Sequence, residues 1–303
     1  MRSLITIVVP MYCEENLVYE FYERLKKVID SIEIDYEVIF VNDGSKDSTL
    51  EKLKLVCNID NRCRIIDFSR NFGHQIAITA GINNSKGDAV IIIDGDLQDP
   101  PEVIPDMIEK WKQGFDVVYG RRLERNGETW FKITSAKIFY KFLSRVSEID
   151  IPQNTGDFRL MDKKVVDSFN SMEEKSRFVR GIVSWVGFRQ TYVDFKRDER
   201  LNGYTKYSLW KMFNLAENGI ISFSSKPIKF IIVLGIIIEI ISNIMMINGV
   251  LNRLNKELII ASLVIFFIGI QVISLGIIGL YISRIYEESK NRPLYIIKDK
   301  INF

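Results

Sequence analysis

The sequence predicts an α/β protein: a mostly parallel, doubly wound sheet with helices on both faces, extended by juxtamembrane amphipathic helices and a C-terminal hairpin of two transmembrane helices. Three observations predict it. Strand-like and helix-like patterns alternate up to about Gly120. Each apolar strand pattern closes on a cluster of polar residues. Two long C-terminal segments are almost free of charge: 230–250 holds Glu239 as its one ionisable residue, and 258–282 has no Asp, Glu, Lys, Arg or His.

Residues 4–10 are a short apolar run that ends at a turn, and 14–32 carry apolar residues at helical spacing. Residues 36–41 are β-branched and end in Asn42-Asp43-Gly44-Ser45. The strand pattern returns over 63–68, 76–83 is helical, and 89–93 is a fully apolar strand ending in Asp94-Gly95-Asp96. Such alternation implies a parallel sheet, which binds ligands beyond the carboxyl ends of its strands. The polar clusters 12–15, 42–45, 69–73 and 94–99 fall at those ends. So many carboxylates would be costly in a core, so they are read as a cleft.

Residues 130–146 interleave Phe131, Ile133, Ile138, Phe139, Phe142 and Leu143 with Lys132, Lys137, Lys141 and Arg145. This is a basic amphipathic helix, either solvated or lying in a membrane interface. Residues 207–221 are a second such segment, directly before the first uncharged run. Each uncharged run can cross about 30 Å of hydrocarbon as a helix; a pair of buried core helices is the alternative. The link 252–257 is too short for a domain, so the two runs form an antiparallel hairpin. Lys226, Lys229, Arg284, Lys290, Arg292, Lys298 and Lys300 flank its open end, against Arg253 and Lys256 in the turn. The excess places the large domain in the cytosol. Glu239 needs a polar partner in lipid, and Gln271 lies at a matching distance from the turn; a subunit contact is the rival explanation. The expected organisation is a cytosolic catalytic domain over 1–205, a juxtamembrane helix over 206–227, two membrane helices within 228–283, and a cytosolic tail over 284–303.

Lys+Arg total 41 and Asp+Glu 39, a net charge of +2 that argues against a nucleic-acid binder. Cys13, Cys57 and Cys63 lack metal-ligand spacing and read as reduced, buried thiols of a cytosolic protein. The single histidine, His74, rules out a multi-histidine zinc site. The N-terminal residues run straight into a strand, with no signal-peptide pattern. Neither G-x-G-x-x-G after the first strand nor G-x-x-x-x-G-K-[ST] is present, which disfavours a dehydrogenase or a P-loop ATPase.

Asp94-Gly95-Asp96 carries the chemistry. Two aspartates can share a site with an anionic nucleotide diphosphate only if a divalent cation lies between them. Hard oxygen ligands suit Mg²⁺ or Mn²⁺, which would neutralise charge on a leaving diphosphate. An acidic turn is the plain alternative, because Asp-x-Asp alone is common. Its place after an apolar strand in a doubly wound pattern gives it weight.

The ordered set of motifs is specific. Val8-Val9-Pro10-Met11-Tyr12-Cys13-Glu14-Glu15-Asn16, Val41-Asn42-Asp43-Gly44-Ser45, Arg70-Asn71-Phe72-Gly73 and Asp94-Gly95-Asp96-Leu97-Gln98-Asp99-Pro100 resemble the family 2 glycosyltransferases, with their GT-A-type, Rossmann-like fold. Gly156-Asp157-Phe158-Arg159-Leu160-Met161 and Gly203-Tyr204-Thr205-Lys206-Tyr207-Ser208 narrow the resemblance to the polyprenyl-phosphate glycosyltransferases. It covers essentially the whole chain and departs at Cys13, where the family usually has Asn. The resemblance implies that Pro10, Tyr12, Glu14, Asp43 and Asn71 hold the nucleoside side of the donor. It further implies that Asp94, Asp96 and Gln98 bind the diphosphate through the metal, with Asp96 among the catalytic residues. UDP-glucose is the first expectation for the donor.

A lipid phosphate needs cations, and Arg or Lys supply them. The candidates are Arg121, Arg122 and Arg125 after the fifth strand, then Lys196, Arg197, Arg200 and Lys206 before the juxtamembrane helix, with a solvated basic rim as the alternative. By analogy Asp157 is cast as the base that activates the acceptor. A phosphate monoester, with a second pKa near 6, needs little deprotonation, so an orienting role is favoured. The expected reaction is a single inverting displacement by polyprenyl phosphate on the donor. Processive polysaccharide synthases are disfavoured, as Gln-x-x-Arg-Trp is missing. A non-catalytic nucleotide-sugar-binding scaffold is the rival from another class. Expected partners are the nucleotide-sugar, the lipid, a bacterial inner membrane, and a homo-oligomer, with a tetramer among the options.

Overall fold

A computed structural model of the chain describes residues 3–123, 155–175, 177–196, 237, 240, 244 and 256–303. Described residues up to 196, together with those from Arg292 to Phe303, form one compact unit; those from 237 to Asn291 belong to a second.

The first unit is built on β1 (Leu4–Met11), β2 (Asp35–Asn42), β3 (Cys63–Phe68), β4 (Ala89–Ile92), β5 (Val117–Arg122), β6 (Thr155–Asp162), β7 (Gln190–Phe195) and β8 (Ile297–Ile301). They lie in the order β7-β5-β6-β4-β1-β2-β3-β8. The stretch β4-β1-β2-β3 is parallel, as the alternation predicts. The complete sheet is mixed: β6 runs antiparallel to both β4 and β5, and β8 antiparallel to β3.

Helices α1 (Val18–Ile29), α2 (Thr49–Ile59), α3 (His74–Asn83), α4 (Ile104–Lys112), α5 (Lys163–Asn170) and α6 (Val179–Val186) accompany the strands. Helix α1 buries Val18, Phe21, Tyr22, Leu25 and Ile29, a stripe at helical spacing, and carries Lys26 and Lys27 in its last turn. Alternation along β1 sorts the layers. Ile5, Ile7, Val9 and Met11 join the core beneath α1, α2 and α4, while Val8 meets Gly81 of α3 on the opposite face. Fully burying such a side chain contributes about 1.5–3 kcal/mol.

Register brings the polar clusters to one rim. Met11 stands opposite Asn42, and Val8 opposite Ile92. Gly95 therefore passes beside Met11, whose Sδ would lie 2.5 Å from any Cβ placed there, so the Asp-Gly-Asp turn has no room for a side chain at its centre.

Two expectations need correction. Arg121 and Arg122 do not follow the fifth strand; they are its last two residues. The segment 284–303, expected as a tail, comprises the end of helix α7 (Lys256–Ser289) and the edge strand β8. There Tyr295 stacks on Phe68, and Asn302 donates to the carbonyls of Cys57 and Cys63. The thiols are free, with Cys57 and Cys63 buried and Cys13 half-buried.

In the second unit, α7 (Lys256–Ser289) contains the second predicted membrane segment. Counted over the described residues alone, no helix is both long and apolar enough to cross a membrane. Of the first predicted segment, positions 237, 240 and 244 are described, each as helix. Glu239, and both amphipathic segments, lie outside the described residues.

Candidate active site

Four loops at the carboxyl ends of β1 to β4 form the cleft rim. The β1 loop passes over the β2 loop: the amide of Cys13 donates to Ser45 Oγ at 3.0 Å, and that of Glu14 to Thr49 Oγ1 at 3.0 Å. Pro10 is buried within β1, so it shapes the strand end, whereas Tyr12 is 37 % exposed and presents an aromatic face at the rim. Cys13 has φ 53°, a left-handed conformation that a non-glycine residue adopts only under local constraint.

Asp43 ties the β2 loop to the β3 loop. Its Oδ1 accepts the Phe72 amide at 2.6 Å, and its Oδ2 the Gly73 amide at 3.0 Å and Asn71 Nδ2 at 2.9 Å. Burial pushes its carboxyl above the ordinary value, against the pull of the Phe72 and Gly73 amides. Asp43 and Asn71 thus hold each other and shape the loop wall. Gly44, at φ +64°, lies where the two loops touch; a Cβ there would sit 2.6 Å from Asn71 N.

The Asp94 loop is also over-determined. Gln98 N donates to Asp96 Oδ1 at 3.1 Å, and Leu97, at φ 59°, is pinned by burial. Asp99 is buried and accepts Arg122 Nη2 at 3.1 Å. Gly156 faces the same guanidinium, which would lie 2.7 Å from a Cβ.

His74 stands between two acids. Its Nε2 is 3.2 Å from Asp157 Oδ2 and 3.4 Å from Asp94 Oδ1. Burial opposes a charge on the ring, yet Asp94 and Asp157 outweigh it and raise the pKa to about 9. The ring is still 38 % exposed, so solvent screens part of that attraction. Burial, helped by Asp99, Asp96 and Asp157, pushes Asp94 up to about 6 although His74 pulls it down. Asp157 is 3 % exposed and receives Arg180 Nε at 2.8 Å, Arg180 Nη2 at 3.0 Å and Gln75 Nε2 at 3.1 Å. Burial alone would raise its pKa, but Arg180 and then His74 hold it well below the ordinary carboxylate range. Arg159, fully buried, donates to the carbonyls of Gly156 and Asp157.

The rim fits a divalent cation. Asp94 Oδ1 is buried without a hydrogen bond, and burial first, then the nearby Asp99, Asp96 and Asp157, raise its proton affinity. Among the described residues no three His, Cys, Asp or Glu side chains form a complete cage.

The sequence-predicted residues divide. Asp94, Asp96, Gln98 and Asp157 come together, as do Asp43 and Asn71. Arg121 is forked onto Asp194 at 2.6 and 2.8 Å, with its plane over Tyr192, and Arg122 is engaged by Asp99. Arg197, Arg200 and Lys206 lie outside the described residues. Sequence reading missed His74, Gln75, Arg159 and Arg180. One signal existed for the first two: they directly follow Arg70-Asn71-Phe72-Gly73.

Comparison with known proteins bears on this geometry. The model of glycosyl transferase family 2 matches residues 6–169. The chain is 52% identical over 299 residues to the uncharacterized glycosyltransferase YkcC of Bacillus subtilis, covering 97% of this chain and 93% of that one. It is 39% identical over 302 residues to a bactoprenol glucosyl transferase of Shigella phage SfV, covering 98% of each. The fold is shared with the mannosyltransferase PcManGT of Pyrobaculum calidifontis, solved with GDP-Man and Mn²⁺, at a TM-score of 0.52 and 16% identity over 72% of this chain and 63% of that one. Sequence along its whole length and the architecture of its sheet agree: the chain belongs to glycosyl transferase family 2.

Proposed function

We propose that this enzyme transfers a hexose from a nucleotide-diphosphate sugar, UDP-glucose first, to polyprenyl phosphate, yielding a polyprenyl monophosphosugar. One observation carries the reading: a buried, unbonded carboxylate oxygen on Asp94 faces His74 at the rim of the mixed sheet, among Asp96, Asp99 and Asp157. Full-length similarity to bactoprenol glucosyl transferases supports the lipid acceptor. A divalent cation on Asp94 and Asp96, with Gln98 beside them, would neutralise the charge that grows on the leaving diphosphate.

The chain's own residues do the rest. Tyr12 and Glu14 border the nucleoside, and the Asp43–Asn71 clamp keeps that wall rigid. The lipid phosphate attacks the anomeric carbon as the nucleotide diphosphate departs, a single displacement that inverts the centre. No base is required of Asp157: its oxygens already accept from Arg180, Gln75 and His74, and its proton affinity is depressed. It acts as an orienting group.

The acceptor implies a membrane. Ile260, Phe266, Leu275 and Ile285 of α7 are all exposed, 55–70% in round terms (60%, 56%, 61% and 68%), and point in several directions around the helix. Apolar side chains all round a helix need apolar cover, which lipid tails supply. The uncharged runs 230–250 and 258–282 are the proposed anchor that holds the protein at the cytoplasmic face of a bacterial inner membrane. The test is a donor panel of UDP-glucose, UDP-N-acetylglucosamine and GDP-mannose against undecaprenyl phosphate, with mass analysis of the lipid. A lipid-linked hexose is expected; no lipid product with any donor overturns the reading.

A further inference from the structure

We propose that Gln75 and Arg180 are positioning residues for this reaction: acting through Asp157, they hold the His74 ring against Asp94. The kinetic part of this proposal rests on the function assigned above; the structural part does not.

The geometry is a chain of contacts. Gln75 uses both ends of its amide. Its Oε1 accepts the first amide of α6, Val179 N, at 3.0 Å, and its Nε2 donates to Asp157 Oδ2 at 3.1 Å. Partners of opposite polarity leave the amide one orientation. Arg180, next on α6, grips both oxygens of Asp157 in a fork, the arrangement that fixes a carboxylate plane most firmly. With that plane fixed, Oδ2 offers His74 Nε2 a stationary acceptor at 3.2 Å, and the same nitrogen reaches Asp94 at 3.4 Å.

Three elements are joined here: the start of α3, strand β6 and the start of α6. The terminal torsion of an aspartate is broad, so without Gln75 and Arg180 the carboxylate would lose its two-oxygen grip and its amide donor. His74 would then lose its orientation at the residue proposed to carry the cation. Displacements of about 1 Å at a reacting centre cost on the order of 100-fold in rate.

The experiment uses Gln75→Met, which keeps length and loses the amide, and Arg180→Lys, which keeps charge and loses the fork. Each is made in the full-length protein, alone and with Asp157→Asn. The first readout is turnover. Each single variant is expected to lower kcat about 10- to 100-fold while KM for the sugar donor stays within about 3-fold. In the Asp157→Asn background neither should cause further loss. The second readout needs no turnover. His74 is the chain's one histidine, so an imidazole-¹⁵N label gives a single signal. Both variants should move it, toward its position in Asp157→Asn. An unmoved signal in either variant overturns the proposal, as do losses that multiply in the Asp157→Asn background. A wild type that forms no lipid product refutes the assigned reaction instead, and the imidazole signal still decides this inference. Should Asp157→Asn not fold, comparison of the single variants with wild type decides it.

Discussion

Replacing Asp157 by Asn tests the centre of the site. The side chain is 3 % exposed, and its two oxygens accept from Arg180 twice, from Gln75 and from His74. An amide retains one acceptor and turns an N–H₂ toward existing donors. Arg180 and the fully buried Arg159 lose their shared counter-charge. Removing one partner of a buried ion cluster costs about 3–5 kcal/mol, out of a total stability of roughly 5–15 kcal/mol. At roughly 2–4 °C per kcal/mol, the melting midpoint should fall by about 6–20 °C. The pH dependence has a definite sign. Asp157 is held below its unfolded value, so its stabilisation is complete above about pH 5 and vanishes as pH falls through the depressed folded value. His74 is raised to about 9, so its share is complete below its unfolded value near 6.5 and is lost as pH rises toward 9. The gap between wild type and variant should therefore be widest between about pH 5 and 6.5 and narrow by pH 9. Thermal unfolding in detergent across that range measures it, alongside turnover. A variant melting within about 2 °C of wild type would refute the ion cluster. Activity that recovers at high pH would refute the orienting role and make Asp157 a base.

Three further outcomes are expected. A chelator should abolish turnover, with Mg²⁺ or Mn²⁺ restoring it, and Asp94→Asn should leave less than about one hundredth of the activity at any metal concentration; full turnover in chelator removes the cation from the mechanism. Gly44→Ala adds a left-handed penalty of about 1–2 kcal/mol to a clash with the backbone of Asn71, so urea unfolding should show a loss of at least that size; an unchanged midpoint contradicts the crossing of the two loops. Cys13→Asn puts a residue tolerant of positive φ at φ 53° and should stabilise by up to about 1 kcal/mol; a loss means the thiol has a packing role.

The parallel half of the fold was legible because β1 and β4 are apolar runs, β2 and β3 carry apolar centres, and all four are followed by polar residues. The β3 limits, Cys63–Phe68, coincide with expectation. Helix α1 begins at Val18, later than its periodicity suggests, because the backbone from Cys13 to Glu15 is held by Ser45, Thr49 and Asp47 on the β2 loop. β6 was read as a motif and not as a strand; buried on both faces, it lacks the alternation that marks a half-exposed one. β8, Ile-Lys-Asp-Lys-Ile, hides its pairing behind three charges suited to an edge. The acidic residues of the site were legible for the same reason as the strands, since they end them. Two of the cations around Asp157 were not: His74 lies 83 residues away in sequence and Arg180 lies 23. Their convergence is a property of topology, and no local pattern records it.

The order of synthesis gives β8 a consequence of its own. Strands β1 to β7 leave the ribosome before the apolar helix α7, and β8 only after it. Until then the outer backbone groups of β3 have no partner, and an open edge of that kind invites aggregation and proteolysis. A nascent polypeptide that stalls or is severed within the apolar stretch keeps that vulnerability. Completion of the sheet thus certifies that the hydrophobic stretch has already been made, and incomplete copies carry the mark by which they can be destroyed.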